Sequence, residues 1–221
     1  LDADGIPDIV VGERVSGGSS TDPTGSFHVV LGGPHVADLA LTDADAHIQS
    51  GSTTGTNWGS YMRVADLDGD GVDEAVLGSV NRGDVGALIK YDLDLSTTVS
   101  PDSLGDRVMS DDPDREVWIL FDTPGDYDGD GFDDLVLTLE VSGGSTHTYE
   151  TALVFGPISG VVTLGTTPPD AVVIHPEASS APRAFTGGDF DGDGFDDFAI
   201  GLPNAEHTPD HIGRVLVFPG G

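Results

Sequence analysis

Asp189-Phe190-Asp191-Gly192-Asp193-Gly194-Phe195-Asp196-Asp197 runs straight into the short apolar segment Phe198-Ala199-Ile200. Aspartates occupy the first, third and fifth positions, glycine the sixth, and a carboxylate returns at the ninth. In a tight turn alternate side chains converge, and a glycine at the sixth position permits the sharp bend. The seventh residue offers its carbonyl oxygen. Hard oxygen donors in a flexible ring suit Ca²⁺, whereas Mg²⁺ demands a smaller octahedral shell and keeps more of its water.

The motif recurs. Asp66-Leu67-Asp68-Gly69-Asp70-Gly71-Val72-Asp73-Glu74 and Asp126-Tyr127-Asp128-Gly129-Asp130-Gly131-Phe132-Asp133-Asp134 repeat it in full, and Asp2-Ala3-Asp4-Gly5-Ile6-Pro7-Asp8 opens the chain as a truncated copy. The third-position residues Asp2, Asp68, Asp128 and Asp191 are 66, 60 and 63 residues apart. A second marker keeps the same period: Phe27–Leu31, Ala87–Tyr91, Ala152–Phe155 and Val215–Phe218 end 60, 64 and 63 residues apart. A third is incomplete. Trp58 and Trp118 each stand eight residues before their motif, but Ala181 fills that place in the last copy.

After every motif comes an apolar stretch: Ile9–Val11, Ala75–Leu77, Leu135–Leu139 and Phe198–Ile200. Their length and branched content predict strands, and apolar residues on both faces predict sheets covered on both sides. His47–Gln49 and Val172–Ile174 are candidates for a fourth strand in their repeats. No sustained helical periodicity is present. Four short strands per sixty-odd residues is a propeller blade, so the fold class expected is all-β, a β-propeller segment of about 3.5 repeats of 60–66 residues. The chain reads as one segment, 1–221, divided into a partial blade 1–50, blades 51–110 and 111–176, and a partial blade 177–221.

Charge supports the metal reading. The 221 residues carry 39 acidic against 8 basic side chains, a net charge of −31. Eighteen of the acids sit in the four motifs, three in the first and five in each of the others. Like charges packed this closely repel by roughly a kcal/mol or more per pair, so each full loop is expected to need a cation. The sites predicted are Asp66, Asp68, Asp70, the Val72 carbonyl and Glu74; Asp126, Asp128, Asp130, the Phe132 carbonyl and Asp134; and Asp189, Asp191, Asp193, the Phe195 carbonyl and Asp197. Asp2, Asp4, the Ile6 carbonyl and Asp8 would make a fourth, partial site. Asp73, Asp133 and Asp196, at the eighth position, are expected to point away. Affinities in the extracellular range, on the order of 10⁻⁴ to 10⁻³ M or tighter, follow from this ligand set.

Other calcium loops do not fit. An EF-hand or dockerin needs flanking helices and Glu at position twelve, where Leu77, Leu137 and Ile200 stand. Thrombospondin type 3 repeats carry cysteines, of which there are none, and nonapeptide rolls repeat far more densely.

The residues resemble the FG-GAP repeat family, typified by the integrin α-subunit head. The last copy carries the resemblance best: Gly188 through Asp197, then Gly201-Leu202-Pro203 as the "GAP", then Gly213 to Phe218 as the third blade strand, with Trp58-Gly59 similar to the "FG". The third repeat departs, with Leu137-Thr138-Leu139 in place of the Gly-Ala-Pro turn. The resemblance implies a propeller with calcium loops on one rim and binding through exposed loops. It does not imply integrin-type ligand choice. Some three and a half periods cannot close a ring, so either further repeats or other copies are expected to cover the open ends.

The expected function is therefore a calcium-stabilised, non-catalytic module of adhesion or protein–protein interaction, extracellular or at the cell surface. Its expected partners are a protein or surface ligand, or a glycan. A structural subunit of an extracellular filament or surface layer is the alternative, and a glycan-binding propeller a third. The acidity repels nucleic acid, and no apolar run of 18 residues offers membrane insertion. Without cysteine there is no disulfide framework and no thiolate zinc site. No Asn-x-Ser/Thr acceptor occurs. Arg82-Gly83-Asp84 reads as an adhesion tripeptide or as chance in a Gly/Asp-rich chain. His207 and His211 are split by Pro209, against a helical zinc pair, and no Gly-x-Ser-x-Gly motif supports hydrolysis. Asp43, Asp45, Asp111, Asp112 and Asp114 read as solvated loop residues.

Overall fold

The computed structural model describes residues 4–13, 26–33, 40, 43–49, 57–80, 87–90, 106–110, 115–118, 124–143, 146–164, 171–174, 183–203 and 213–221. Asp2, Arg82-Gly83-Asp84, Asp111, Asp112, Asp114, His207 and His211 lie outside them, as do the side chains of Trp58 and Trp118. The described chain is mostly β-strand and contains no α-helix.

Among the described residues, fifteen strands form four sheets. The first sheet joins β1 (Ile9–Glu13), β2 (Ser26–Val30) and β3 (Ala46–Gln49) in that order. The second is built on β4 (Asn57–Ala65), β5 (Glu74–Val80), β6 (Ala87–Lys90) and β7 (Asp106–Ser110). The third joins β8 (Arg115–Trp118), β9 (Leu135–Gly143), β10 (Thr146–Val154) and β12 (Ala171–Ile174). The fourth joins β13 (Arg183–Gly188), β14 (Asp197–Leu202) and β15 (Arg214–Phe218). Within these sets every neighbour is antiparallel, and in the last three sheets the Asp-rich loop connects the first strand to the second.

The apolar stretches after the motifs are β1, β5, β9 and β14. Ile9 and Val11 of β1 are exposed, contrary to the expected double coverage, because no sheet lies on that side of the first one among the described residues. The two-faced burial of the inner strands has a direct cause. Successive side chains of a strand point to opposite faces. In β5, Ala75 and Leu77 pack with Phe27, Val29 and Ile48 of the first sheet, while Val76 packs with Leu135, Leu137 and Leu139 of β9. In turn Val136 faces the other way, against Phe198, Ile200 and Leu202 of β14. The four sheets thus stack in chain order, each inner one covered on both faces. A fully buried leucine such as Leu137 contributes about 1.5–3 kcal/mol by leaving water.

One strand departs from the repeat. β11 (Val161–Leu164) follows β10 in the chain but pairs in parallel with β7, making the second sheet five-stranded. Asp106 accepts the Gly160 N–H at 2.6 Å at the start of this crossover, and Ile158 and Leu164 bury themselves between the second and third sheets. At the far end, β15 is an edge strand. Val215 and Val217 on its outer face are 68% and 57% exposed.

Candidate metal centres

The loops between the first and second strands of the last three sheets share a common set of hydrogen bonds that follows from the residue types, to which Gly129 and Gly192 add an N–H bond to Asp126 and Asp189 that Asp66 lacks. Asp and Asn carboxyl or amide oxygens readily accept backbone N–H groups a few residues ahead. The first-position carboxylate accepts the sixth-position glycine: Asp66 from Gly71 at 2.8 Å, Asp126 from Gly131 at 3.0 Å, Asp189 from Gly194 at 3.0 Å. Asp68, Asp128 and Asp191 each accept the N–H two residues on, from Asp70, Asp130 and Asp193. The latter three, and Asp4 in the truncated copy, accept from the seventh residue, Val72, Phe132, Phe195 and Ile6. The glycines at the sixth position, with φ from +86° to +99° in the full loops, hold a conformation that a Cβ would strain.

The ninth carboxylate closes the loop from beneath. Asp134 and Asp197 each accept two backbone N–H groups: that of the second loop residue (Tyr127, Phe190) and that of a glycine after the third strand (Gly156, Gly220). Asp8 makes the second of these bonds with Gly32 at 2.8 Å. Glu74 uses its longer side chain to reach Leu67 N–H at 2.9 Å. The glycine partners are not interchangeable with alanine. A Cβ on Gly32 would meet Pro7 O at 2.6 Å, one on Gly156 would meet the Phe132 Cβ at 2.7 Å, and one on Gly220 would overlap Asp196 O. These glycines were not singled out in the sequence reading. Their signal was there: a glycine within two residues of Leu31, Phe155 and Phe218, and none after Tyr91.

Three carboxylate triads result: Asp66, Asp68 and Asp70; Asp126, Asp128 and Asp134; and Asp189, Asp191 and Asp197. In each, one oxygen per residue lies within 4.8 Å of the others. Glu74, Asp130 and Asp193 are not part of these triads, and among the described residues Asp4 and Asp8 join none. The loop contacts at Val72, Phe132 and Phe195 run through their N–H groups. Asp66 Oδ1 is buried and accepts no hydrogen bond, an expensive state for a carboxylate oxygen unless a cation completes it. Burial, reinforced by Asp68, Asp66 and Asp70, pushes the Glu74 carboxyl up to about 7. Burial likewise lifts Asp134 to about 6 against its two N–H donors, with Asp128 and Asp130 adding to the rise. Asp197 is held below the usual range by the Gly220 and Phe190 N–H groups. All-oxygen, carboxylate-rich sets of this kind fit a hard divalent cation.

The comparison with family models falls on the last of these loops. Residues 181–218 match the FG-GAP repeat. The FG-GAP segment contains β13, the loop 189–197, β14 and β15, so the matched unit is one whole sheet with its carboxylate triad. No curated relative matches the chain.

A second polar cluster lies away from the loops. Ser26 Oγ and Glu13 Oε2 stand 3.1 and 3.2 Å from the same His28 nitrogen, Nε2, and the His28 and His47 rings stack at 4.5 Å. A hydrolytic triad needs the acid and the hydroxyl on opposite ring nitrogens, so this arrangement does not relay a proton from Ser26 to Glu13. Among the other aspartates, Asp45 accepts the Leu31 N–H at 2.9 Å and Asp43 that of Ala40 at 3.1 Å, both within loops.

Proposed function

We propose that the protein is a segment of a calcium-stabilised β-propeller that serves adhesion or protein–protein interaction outside the cell, without catalysis. The observation that carries this is the recurrence of one loop, with a common set of hydrogen bonds and a carboxylate triad, at equivalent places in three stacked sheets. Calcium is favoured over softer metals by the all-oxygen donors and over Mg²⁺ by the number of carboxylates. The FG-GAP match at 181–218 supports the propeller and, by the usual setting of such repeats, the extracellular location. The geometry at Ser26, His28 and Glu13 supports a non-catalytic reading. The test is calcium titration of the full chain by calorimetry, followed by capture of cell-surface proteins with and without EGTA. Calcium binding to about three sites and calcium-dependent capture of a defined surface protein are expected. Failure of either refutes the corresponding half.

A structural subunit of a filament or surface layer is the second reading. The outer face of the fourth sheet favours it. Leu67 and Tyr127, at the second loop position, are 0% and 3% exposed under the sheet that follows, but Phe190, at that position in the last loop, is 50% exposed. Sedimentation with and without calcium separates the two, since only a filament subunit grows to indefinite size. A glycan array tests the carbohydrate alternative.

A further inference from the structure

The eighth loop residue has no place in its own cage, yet it reaches the loop before it. Asp133 N–H donates to the Asp66 carbonyl at 2.8 Å, and Asp133 Oδ2 accepts the Asp66 N–H at 2.8 Å. Both backbone groups of Asp66 are therefore held by a residue 67 positions later. Phe132 covers the same loop: a Cβ on Gly69 would stand 3.0 Å from its ring. At the next junction Asp196 N–H donates to the Asp126 carbonyl at 3.2 Å, the Asp196 carboxylate lies against Gly125, and the Phe195 ring lies over Gly129. Asp66 is the residue on which its own loop turns. One carboxylate oxygen takes the Gly71 N–H, and the other is the buried oxygen without a donor.

We propose that the loops are coupled in series, with Asp133 the positioning residue for the cation held by loop 66–74 and the backbone N–H of Asp196 making the corresponding contact on loop 126–134. This rests on the calcium reading above. A shift of the Asp66 backbone swings its carboxylate relative to Asp68 and Asp70, so removing the group that holds that backbone weakens a site to which Asp133 contributes no ligand. Outer partners of metal ligands typically govern affinity by about 10- to 100-fold. The coupling is reciprocal by linkage: filling one loop favours its neighbour.

The experiment is calorimetric calcium titration of the full chain, unaltered and as Asp133→Ala, Asp133→Asn, Asp73→Ala and Asp68→Asn. Asp133→Ala should weaken one site by about 10- to 100-fold. Asp133→Asn should restore it, because the amide oxygen still accepts the Asp66 N–H. Asp73, at the same loop position but hydrogen-bonded to no described residue, acts on Asp133 through charge alone, so its substitution should change the titration far less than Asp133→Ala does. In the Asp68→Asn background, where loop 66–74 is already impaired, Asp133→Ala should remove nothing more. Unchanged titration of Asp133→Ala, or loss of a further site in that background, overturns the coupling and leaves the calcium reading standing. No calcium heat from the unaltered chain overturns both. Should Asp133→Ala not fold, Asp133→Leu, which keeps the volume of the side chain but accepts no hydrogen bond from the Asp66 N–H, with and without Asp68→Asn puts the same question to loop 66–74, with the same outcomes for and against.

Discussion

Gly69, Gly129 and Gly192 occupy the same, fourth, position of the three full loops and have nearly the same backbone, with φ of +74°, +76° and +84°. Replacing any of them with alanine therefore imposes the same left-handed strain, about 1–2 kcal/mol. Their surroundings differ. A Cβ on Gly192 meets nothing within 4 Å, one on Gly69 stands 3.0 Å from the Phe132 ring, and one on Gly129 overlaps the Phe195 ring. Overpacking a closed contact costs typically 1–3 kcal/mol. Gly192→Ala should thus lose only the strain, Gly69→Ala slightly more, and Gly129→Ala about 1–3 kcal/mol beyond Gly192→Ala. For a chain of this size each kcal/mol moves the melting temperature by about 2–4 °C, so Gly129→Ala should melt roughly 2–12 °C below Gly192→Ala. Thermal unfolding in saturating calcium measures the series, and Phe195→Ala added to Gly129→Ala should relieve the extra loss. Equal losses in all three variants would refute the stacking of each loop on the one before it.

Excess EGTA should lower the melting temperature. Each site at a hundredfold its dissociation constant stabilises the fold by about 2.7 kcal/mol, and an unchanged melting curve would contradict a structural metal. That calcium effect should depend on pH. The folded-state values of Glu74 and Asp134, about 7 and about 6, lie above the ordinary 4.5 and 3.8. The metal-free protein consequently binds more protons folded than unfolded between those limits, and its stability falls as pH rises through them. Calcium competes with those protons, so the gap between melting in calcium and in EGTA should be widest above pH 7 and should narrow toward pH 5; a constant gap would show that neither carboxylate meets the ion. Leu137→Ala, in a fully buried position, should cost about 2–5 kcal/mol by urea unfolding. Val217→Ala, on the open outer face, should cost under about 0.5 kcal/mol, and a core-like loss there would reveal a covering sheet or second copy.

Local order was readable along the chain because local contacts make it. The bonds from Asp66 to Gly71, Asp68 to Asp70 and Asp70 to Val72 all close within five residues, so the spacing of aspartate and glycine specifies them directly. The strands after each loop were legible for a similar reason, since an apolar run of four or five residues behind a glycine turn is readily extended. Their coverage on both faces was not, for it holds in β5 and β9 while Ile9 and Val11 of β1 are exposed. What joins one repeat to another was not. Asp133 looks idle at the eighth position, and only the stacking of the second and third sheets brings it to Asp66. Gly32, Gly156 and Gly220 serve the carboxylates of Asp8, Asp134 and Asp197 across 24, 22 and 23 residues, a distance set by the hairpin each sheet forms. Val161–Leu164 carries no mark that sends it back to pair with β7. A repeat period shows that units are alike, but not which face of each meets its neighbour. That depends on the alternation of side chains within stacked sheets, and it took the tertiary structure to place Val76 on one side of β5 and Ala75 and Leu77 on the other.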